Sequence, residues 1–454
     1  MRMRDRVSVR RRLAGGLAAL SLLVGATGLD GARAVPAGAQ EQVAGPVIVD
    51  VAEGVTPQAV AARYGIVPTQ TYTDVMVGFA ATVTVGQLAS LRADRSVESV
   101  TVDAVTRRRG RHDGRTSPGP PPAGVAEQFE QYVAPEIRRI GAPMSPTADI
   151  DGKDDRRVDA GIAIVDSGID PYHPDLNVVG GYDCLPGPKA DRGYFDRGDS
   201  HGTAVAGLAA AIDNGIGTVG AAPGARLYAV RVADPFGSIS DSALLCGLDW
   251  VIRHADLIDV ANLSLAGTGN PIGPCRDPHR LPRDRHGKRA PVDRVHQRIC
   301  RATAKGITVV AAAGNDSRDA SLYTPAAYDE VIAVSAFTDF DGLPGSLYSP
   351  APPECLPYEV DDTLSTFSNF GRVVDISAPG ECTFTTGIGG VYGYVEGTSF
   401  AAPLVSGAAA LIKAKHPNYS AARVRERLLA LAQPGPLAGD PDQFPEGLLN
   451  VAGL

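Results

Sequence analysis

Gly161-Ile162-Ala163-Ile164-Val165-Asp166-Ser167-Gly168 is a run of small and β-branched apolar residues that ends on a carboxylate and a glycine turn. An apolar run of strand length without polar alternation reads as a strand covered on both faces, as in a parallel sheet. Stretches 226–232, 260–265, 308–313 and 331–336 have the same character, and segments such as 240–254 lie between them with helical periodicity. That alternation over residues 127–454 predicts an α/β fold, a parallel sheet with helices on both faces. There is no internal repeat.

Upstream, residues 107–124 are crowded with Arg, Gly and Pro and cannot pack a core, so they read as an exposed linker open to proteolysis. Before them, residues 45–105 carry a pattern of their own. Stretch 46–51 reads as a strand, Thr56-Pro57 opens a helix that stops near Gly65, and 75–83 reads as a second strand. Thr84 caps a helix over 85–91, and 97–105 is a last strand. This β-α-β-α-β order predicts a small α+β unit.

The first 39 residues carry seven Arg against two Asp, a net +5, with an apolar stretch over 13–29 and small-residue sites at Ala32-Arg33-Ala34 and Ala37-Gly38-Ala39. They read as an export signal. A membrane anchor is the bland alternative, against which the stretch is short and glycine-rich. Arg10-Arg11-Arg12 fits a twin-arginine route or any basic leader. The overall charge of −8 leaves −13 for the remainder, which argues against nucleic acid or an anionic membrane surface as partner. Hydrophobic content of 44% and charged content of 21% are those of a soluble globular protein. Six cysteines, none in a C-x-x-C pair and none at zinc-finger spacing from a His, fit an oxidising destination rather than metal ligation. Fifteen pairings are open; joining nearest neighbours would staple three local loops.

Four short signatures stand at element boundaries: Asp166-Ser167-Gly168 after its strand, His201-Gly202-Thr203 opening an Ala-rich helix, Ala313-Gly314-Asn315 after a strand, and Gly397-Thr398-Ser399 opening the helix that runs to about Lys415. Each alone is a turn or a cap. Together they supply what acyl transfer from a peptide needs: a nucleophile, a base, an acid to hold the base, and donors for the developing oxyanion. Loops at the C-terminal edge of a parallel sheet bring such residues together.

On Ile162-Ala163-Ile164-Val165-Asp166-Ser167-Gly168-Ile169-Asp170, Ser200-His201-Gly202-Thr203-Ala204-Val205-Ala206-Gly207, Ala311-Ala312-Ala313-Gly314-Asn315 and Gly397-Thr398-Ser399-Phe400-Ala401-Ala402-Pro403, the chain resembles the subtilisin family of serine proteases over about residues 127–454. The order Asp, His, Ser is that family's own. The resemblance implies a subtilisin-like catalytic domain over 127–454, a chaperone and inhibitor propeptide over 40–106, a linker over 107–126 and a signal peptide over 1–39. It further implies that Asp166 orients His201, that His201 is general base and then acid, that Ser399 attacks the scissile carbonyl, and that Asn315 stabilises the oxyanion. Ser264, Leu265, Ala266 and Gly314 would bind substrate. A structural calcium ion is implied at Asp175, Ile212, Asn214, Ile216 and Thr218, with Gln131 a further ligand; an empty glycine-rich turn is the alternative reading. Asp149-Ile150-Asp151-Gly152-Lys153-Asp154-Asp155 reads as a solvated loop. The family usually has His where Ala204 stands and Met where Phe400 stands.

The expected protein is therefore a secreted, self-processing serine endopeptidase. Its partners would be peptide substrates and its own propeptide, with no stable membrane anchor, and it is expected to be a monomer. The rivals are a binding protein on a protease scaffold, against which all four catalytic positions are filled, and a processing protease with one narrow target. The Arg- and Lys-rich stretch between Cys275 and Cys300 would bias subsites toward acidic residues or form a solvated loop.

Overall fold

The computed structural model describes residues 42–107, 130–187, 193–196, 198–269, 275, 292–345, 351–353, 355–435, 437–442 and 444–454. The leader, nearly all of the linker and Arg280, Arg283 and Arg285 of the basic stretch lie outside them. Residues 42–454 form one unit.

Among the described residues the large sheet has nine strands: a short strand, Thr363–Leu364, pairs antiparallel with β14, and the other eight run in the order β19-β16-β14-β12-β10-β6-β8-β7. They are β6 (Gly161–Asp166), β7 (Val178–Asp183), β8 (Arg226–Arg231), β10 (Val260–Leu263), β12 (Thr308–Ala312), β14 (Val331–Thr338), β16 (Ile376–Glu381) and β19 (Gly447–Leu448). Every pair in this path is parallel. Side chains of a strand alternate between its faces, and β6 shows it. Ile162 and Ile164 enter a core with α4 (His201–Ala210) and α7 (Thr398–Lys415), while Ala163 and Val165 enter another with α5 (Asp241–Arg253) and α6 (Arg294–Ala304). The α/β reading with helices on both faces therefore holds. α7 is buried from Thr398 to Lys413, which explains its apolar residues all round.

Two strands of this sheet escape the apolar pattern. β7 is Val-Val-Gly-Gly-Tyr-Asp and β16 is Ile-Ser-Ala-Pro-Gly-Glu, compositions that ordinarily mark turns. Gly380 is required by packing: a Cβ there would stand 2.6 Å from the Ala336 methyl and 3.0 Å from Gly397 O.

The N-terminal unit is a second sheet, order β2-β3-β1-β4, of β1 (Val43–Val51), β2 (Gln70–Tyr72), β3 (Gly78–Thr84) and β4 (Val97–Val102), with α1 (Pro57–Arg63) and α2 (Val85–Ala93). Thr56 caps α1, and Thr84 with Gln87 forms a capping box on α2. One face holds Val49, Val60, Phe79 and Leu91. From the other, Ile48, Tyr72 and Ala80 join the core of α5 and α6. The expected strand over 97–105 is interrupted for a physical reason. Asp103 accepts from Ser242 N (2.9 Å) and Ala104 O accepts from Asp241 N (2.9 Å), capping the first turn of α5. The chain then resumes as β5 (Val105–Arg107), antiparallel to β9 (Ser238–Ser240).

The cysteines pair as Cys184–Cys246, Cys275–Cys300 and Cys355–Cys382, with Cα atoms 5.7, 5.7 and 5.4 Å apart. Nearest neighbours are thus joined. His296 and Glu330 close on the Cys275–Cys300 pair, but sulfurs bonded to each other offer no thiolate to a metal.

Candidate active site

Asp166 ends β6 and His201 begins α4. The imidazole Nδ1 lies 2.8 and 2.9 Å from the two carboxylate oxygens of Asp166, and both residues are buried. Ser167 N donates to the same carboxylate at 2.7 Å. The approach of α4 to this turn demands a glycine beside the histidine: a Cβ at Gly202 would stand 2.1 Å from Gly168 O. Ser200, just before His201, takes a left-handed φ of 65°. Its N–H is held by the buried Asp196 carboxylate, which also accepts from Ser167 Oγ and Thr203 Oγ1. Burial pushes the Asp196 carboxyl up, opposed by the Ser200 and Thr203 hydrogen bonds. Asp196 was not singled out by its sequence context, since nothing in Phe195-Asp196 distinguishes it from a loop residue.

Ser399 sits in the first turn of α7, where Phe400 lies against His201 with ring centroids 5.1 Å apart. Pro403 has no N–H to give to the carbonyl four residues earlier. Ser264 Oγ takes that role, donating to Ser399 O at 2.6 Å. Asn262 Nδ2 donates in turn to Ser264 Oγ (2.9 Å), and Ser406 Oγ to Asn262 Oδ1 (2.8 Å). This buried chain fixes the turn that bears Ser399 to the end of β10. In this rotamer the Ser399 hydroxyl donates to Ser264 O at 3.3 Å.

Asn315 follows β12. Its Oδ1 accepts from Thr398 N (2.9 Å) and Thr398 Oγ1 (2.8 Å), which leaves the Nδ2 donors facing away from that contact. Gly314 N donates to Thr398 Oγ1, and the Asn369 side chain ties Ala313 O, Asp316 N and Arg318 N. Asn369, Asn262 and Ser406 carry no sequence signal, because lone polar residues in a core leave no periodic trace.

Leu265, Ala266 and Gly267 face β5 from the side opposite β9. Thr106 lies against Gly267, and Leu265 and Ala266 line the same cavity. The expected substrate strand is therefore beside an extended segment of the chain itself.

In the loop expected to hold calcium, Asp175 is fully buried. One carboxylate oxygen accepts from Thr218 N at 3.0 Å, and Oδ1 is buried without a hydrogen-bond partner. Burial pushes this carboxyl up to about 7. Asn214 Oδ1 accepts from Ile216 N. An orphaned buried carboxylate oxygen beside a carbonyl-rich loop fits a hard cation. Gln131 does not present its oxygen there: Oε1 accepts from Asn214 N and Gly215 N, and Nε2 bonds Asp213, so it braces the loop. Asp151 and Asp154 are exposed and paired with Lys153 and Arg157, as a solvated loop should be.

The family model described as "Subtilase family" matches residues 159–453. The chain is 36% identical over 330 residues to Subtilisin NAT of Bacillus subtilis subsp. natto and to Subtilisin E of Bacillus subtilis (strain 168), covering 72% of this chain and 72% of each relative. It is 34% identical over 321 residues to Subtilisin Savinase of Lederbergia lenta, covering 71% of this chain and 98% of the relative.

Proposed function

The chain belongs to the subtilase family of serine endopeptidases, and from that premise we propose that it is a secreted, self-processing enzyme working through Asp166, His201 and Ser399. The observation that carries the reading is the buried two-point contact of His201 Nδ1 with Asp166, set against the turn that bears Ser399. In the reaction the Ser399 hydroxyl leaves Ser264 O, gives its proton to His201 Nε2, and its oxygen bonds the scissile carbonyl carbon. Asp166 holds the proton on Nδ1 and supports the imidazolium. Negative charge gathers on the former carbonyl oxygen, where Asn315 Nδ2 and Ser399 N–H donate. His201 then protonates the leaving amine. The acyl-enzyme is hydrolysed by water activated in the same way.

Residues 40–106 are read as the propeptide, because β5 lies in the cleft between β9 and 265–267 and leads into the linker. Secretion is supported by the leader's composition and by three disulfides. No helix among the described residues is long and apolar enough to cross a membrane. The test is a fluorophosphonate probe on the matured protein. Covalent label on Ser399 alone is expected, and no label on active-site peptides would refute the triad.

Calcium is proposed at Asp175 and Asn214 with the carbonyls of Ile212, Ile216 and Thr218. Its contribution is to stability. A ligand at a hundredfold excess over Kd stabilises by about 2.7 kcal/mol, which is several degrees of Tm for a domain of this size. Chelation is therefore expected to lower Tm by several degrees, measured on an inactive Ser399→Ala chain to exclude self-digestion. An unchanged Tm with no bound ion by elemental analysis would remove the site.

A further inference from the structure

We propose that the substrate cleft contains a pocket for a basic side chain, with Asp241 as its charged wall, at the position that Thr106 takes in this structure. The inference rests on the peptidase reading above and names a preference within it.

The register of β5 on β9 places Thr106 opposite Ile239, with Val105 opposite Ser240 and Arg107 opposite Ser238. Beside Thr106 lies a cavity of about 220 Å³. Its walls include Ile239, Leu244, Leu265, Val295 and Pro325, and among them stands one carboxylate, Asp241. Threonine is too short to fill that space. A lysine or arginine would lay its methylene stem along the apolar walls and bring its cation to the carboxylate. A charge pair shielded from water by such walls is much stronger than one on the surface.

The charges around Asp241 point the same way. Burial, the largest influence, and then Asp103 and Asp293 disfavour its ionised form, opposed among the described residues by the Ala104 backbone hydrogen bond and Arg294, and the carboxyl is raised to about 6. Arg294 is engaged with Asp50, Ser99 and Thr101 of the N-terminal unit. Asp293 is engaged with the N-terminus of α6 and with Tyr328. In the precursor, Asp241 also accepts from the Ala104 backbone. When the N-terminal unit leaves, that hydrogen bond goes with it, and the carboxylate faces a pocket walled by these apolar side chains together with Thr268 and Thr324. An incoming ammonium or guanidinium supplies a counter-charge inside the cleft. The N-terminal unit leaves this pocket underfilled because it is held elsewhere, through Arg294–Asp50, Arg253–Asp74 and Tyr72 on α5.

The test uses the full chain allowed to mature, with active enzyme counted by fluorophosphonate labelling. Peptides carrying Lys, Arg or Leu at each position before the cleaved bond are compared by kcat/KM. At one position Lys and Arg are expected to exceed Leu by about tenfold or more, the scale of a close desolvated charge pair. The ratio should survive high salt, which would erase a diffuse surface field. It should fall to about one or below in Asp241→Leu, with Asp241→Asn as the milder variant if the first fails to mature. Labelled enzyme that cleaves these peptides without a basic preference dependent on Asp241 would overturn the proposal, as would Arg294 turning to neutralise Asp241 once Asp50 has gone, which the same flat ratio would report. An enzyme that neither labels nor cleaves would instead strike at the peptidase reading.

Discussion

Ser399→Ala accumulates as the uncut chain, and its matured form, obtained by cleavage in trans with wild type, loses kcat by on the order of 10⁶, the loss known for the nucleophile of subtilisin itself. The expectation follows from where the side chain stands. The hydroxyl contributes only its bond to Ser264 O, whereas the contacts that shape the turn use backbone: Ser264 Oγ to Ser399 O, and Asn315 to Thr398 N. Alanine therefore removes the nucleophile and leaves the turn, so the melting curve should be nearly unchanged. The uncut state follows because β5 already lies along β9 and leads toward the linker, which makes the chain's own site the nearest one able to cut it. Mass spectrometry of the N-terminus in a protease-free host reads the result. Normal maturation of the variant would end the self-processing reading, and matured variant with wild-type turnover would end the assignment of Ser399.

The parts of this architecture legible in the sequence are those where one local pattern suffices. β6, β10, β12 and β14 are apolar and β-branched because both faces are buried, and the motifs at the ends of β6 and β12 stand out against them. α1, α2 and α5 announce their starts through Thr56, Thr84 and Ser240. What could not be read depends on partners distant in the chain. β16 keeps Pro379-Gly380 inside a sheet because Ala336 and Gly397 leave no room for a side chain. The last N-terminal strand breaks at Asp103 because a helix start some 140 residues later needs a cap. The Ser406–Asn262–Ser264 chain that holds the Ser399 turn joins residues 144 apart, and Asp241, an acidic residue in a helix's first turn, is set apart only by the approach of β5. Burial and pairing over such separations are decided by the fold, not by local composition.

Asp166→Asn should reduce kcat by about 10⁴ at neutral pH, the loss typical of this exchange in serine protease triads, while changing KM little. Asp166 Oδ1 accepts from both Ser167 N and His201 Nδ1, and Oδ2 faces the same Nδ1. An acceptor at this place keeps the imidazole proton on Nδ1 and leaves Nε2 free to take the Ser399 proton. Asparagine is nearly isosteric, so the burial and the approach of Gly202 are retained. With its carbonyl oxygen accepting from Ser167 N, its NH₂ faces the imidazole, and Nδ1 must then accept rather than donate. The proton moves to Nε2, the atom that has to act as base. The negative charge that would support the imidazolium is lost in the same step. If substrate binds along the backbone of β9 and residues 264–266, as proposed, this exchange does not touch those contacts, so the loss should appear in kcat. Fluorophosphonate labelling should slow in parallel, because it depends on the same activated hydroxyl. The decisive comparison is steady-state kinetics with the melting temperature of each form. A fall in kcat of tenfold or less, with Tm unchanged, would mean that His201 is oriented by another group and that Asp166 is a structural partner.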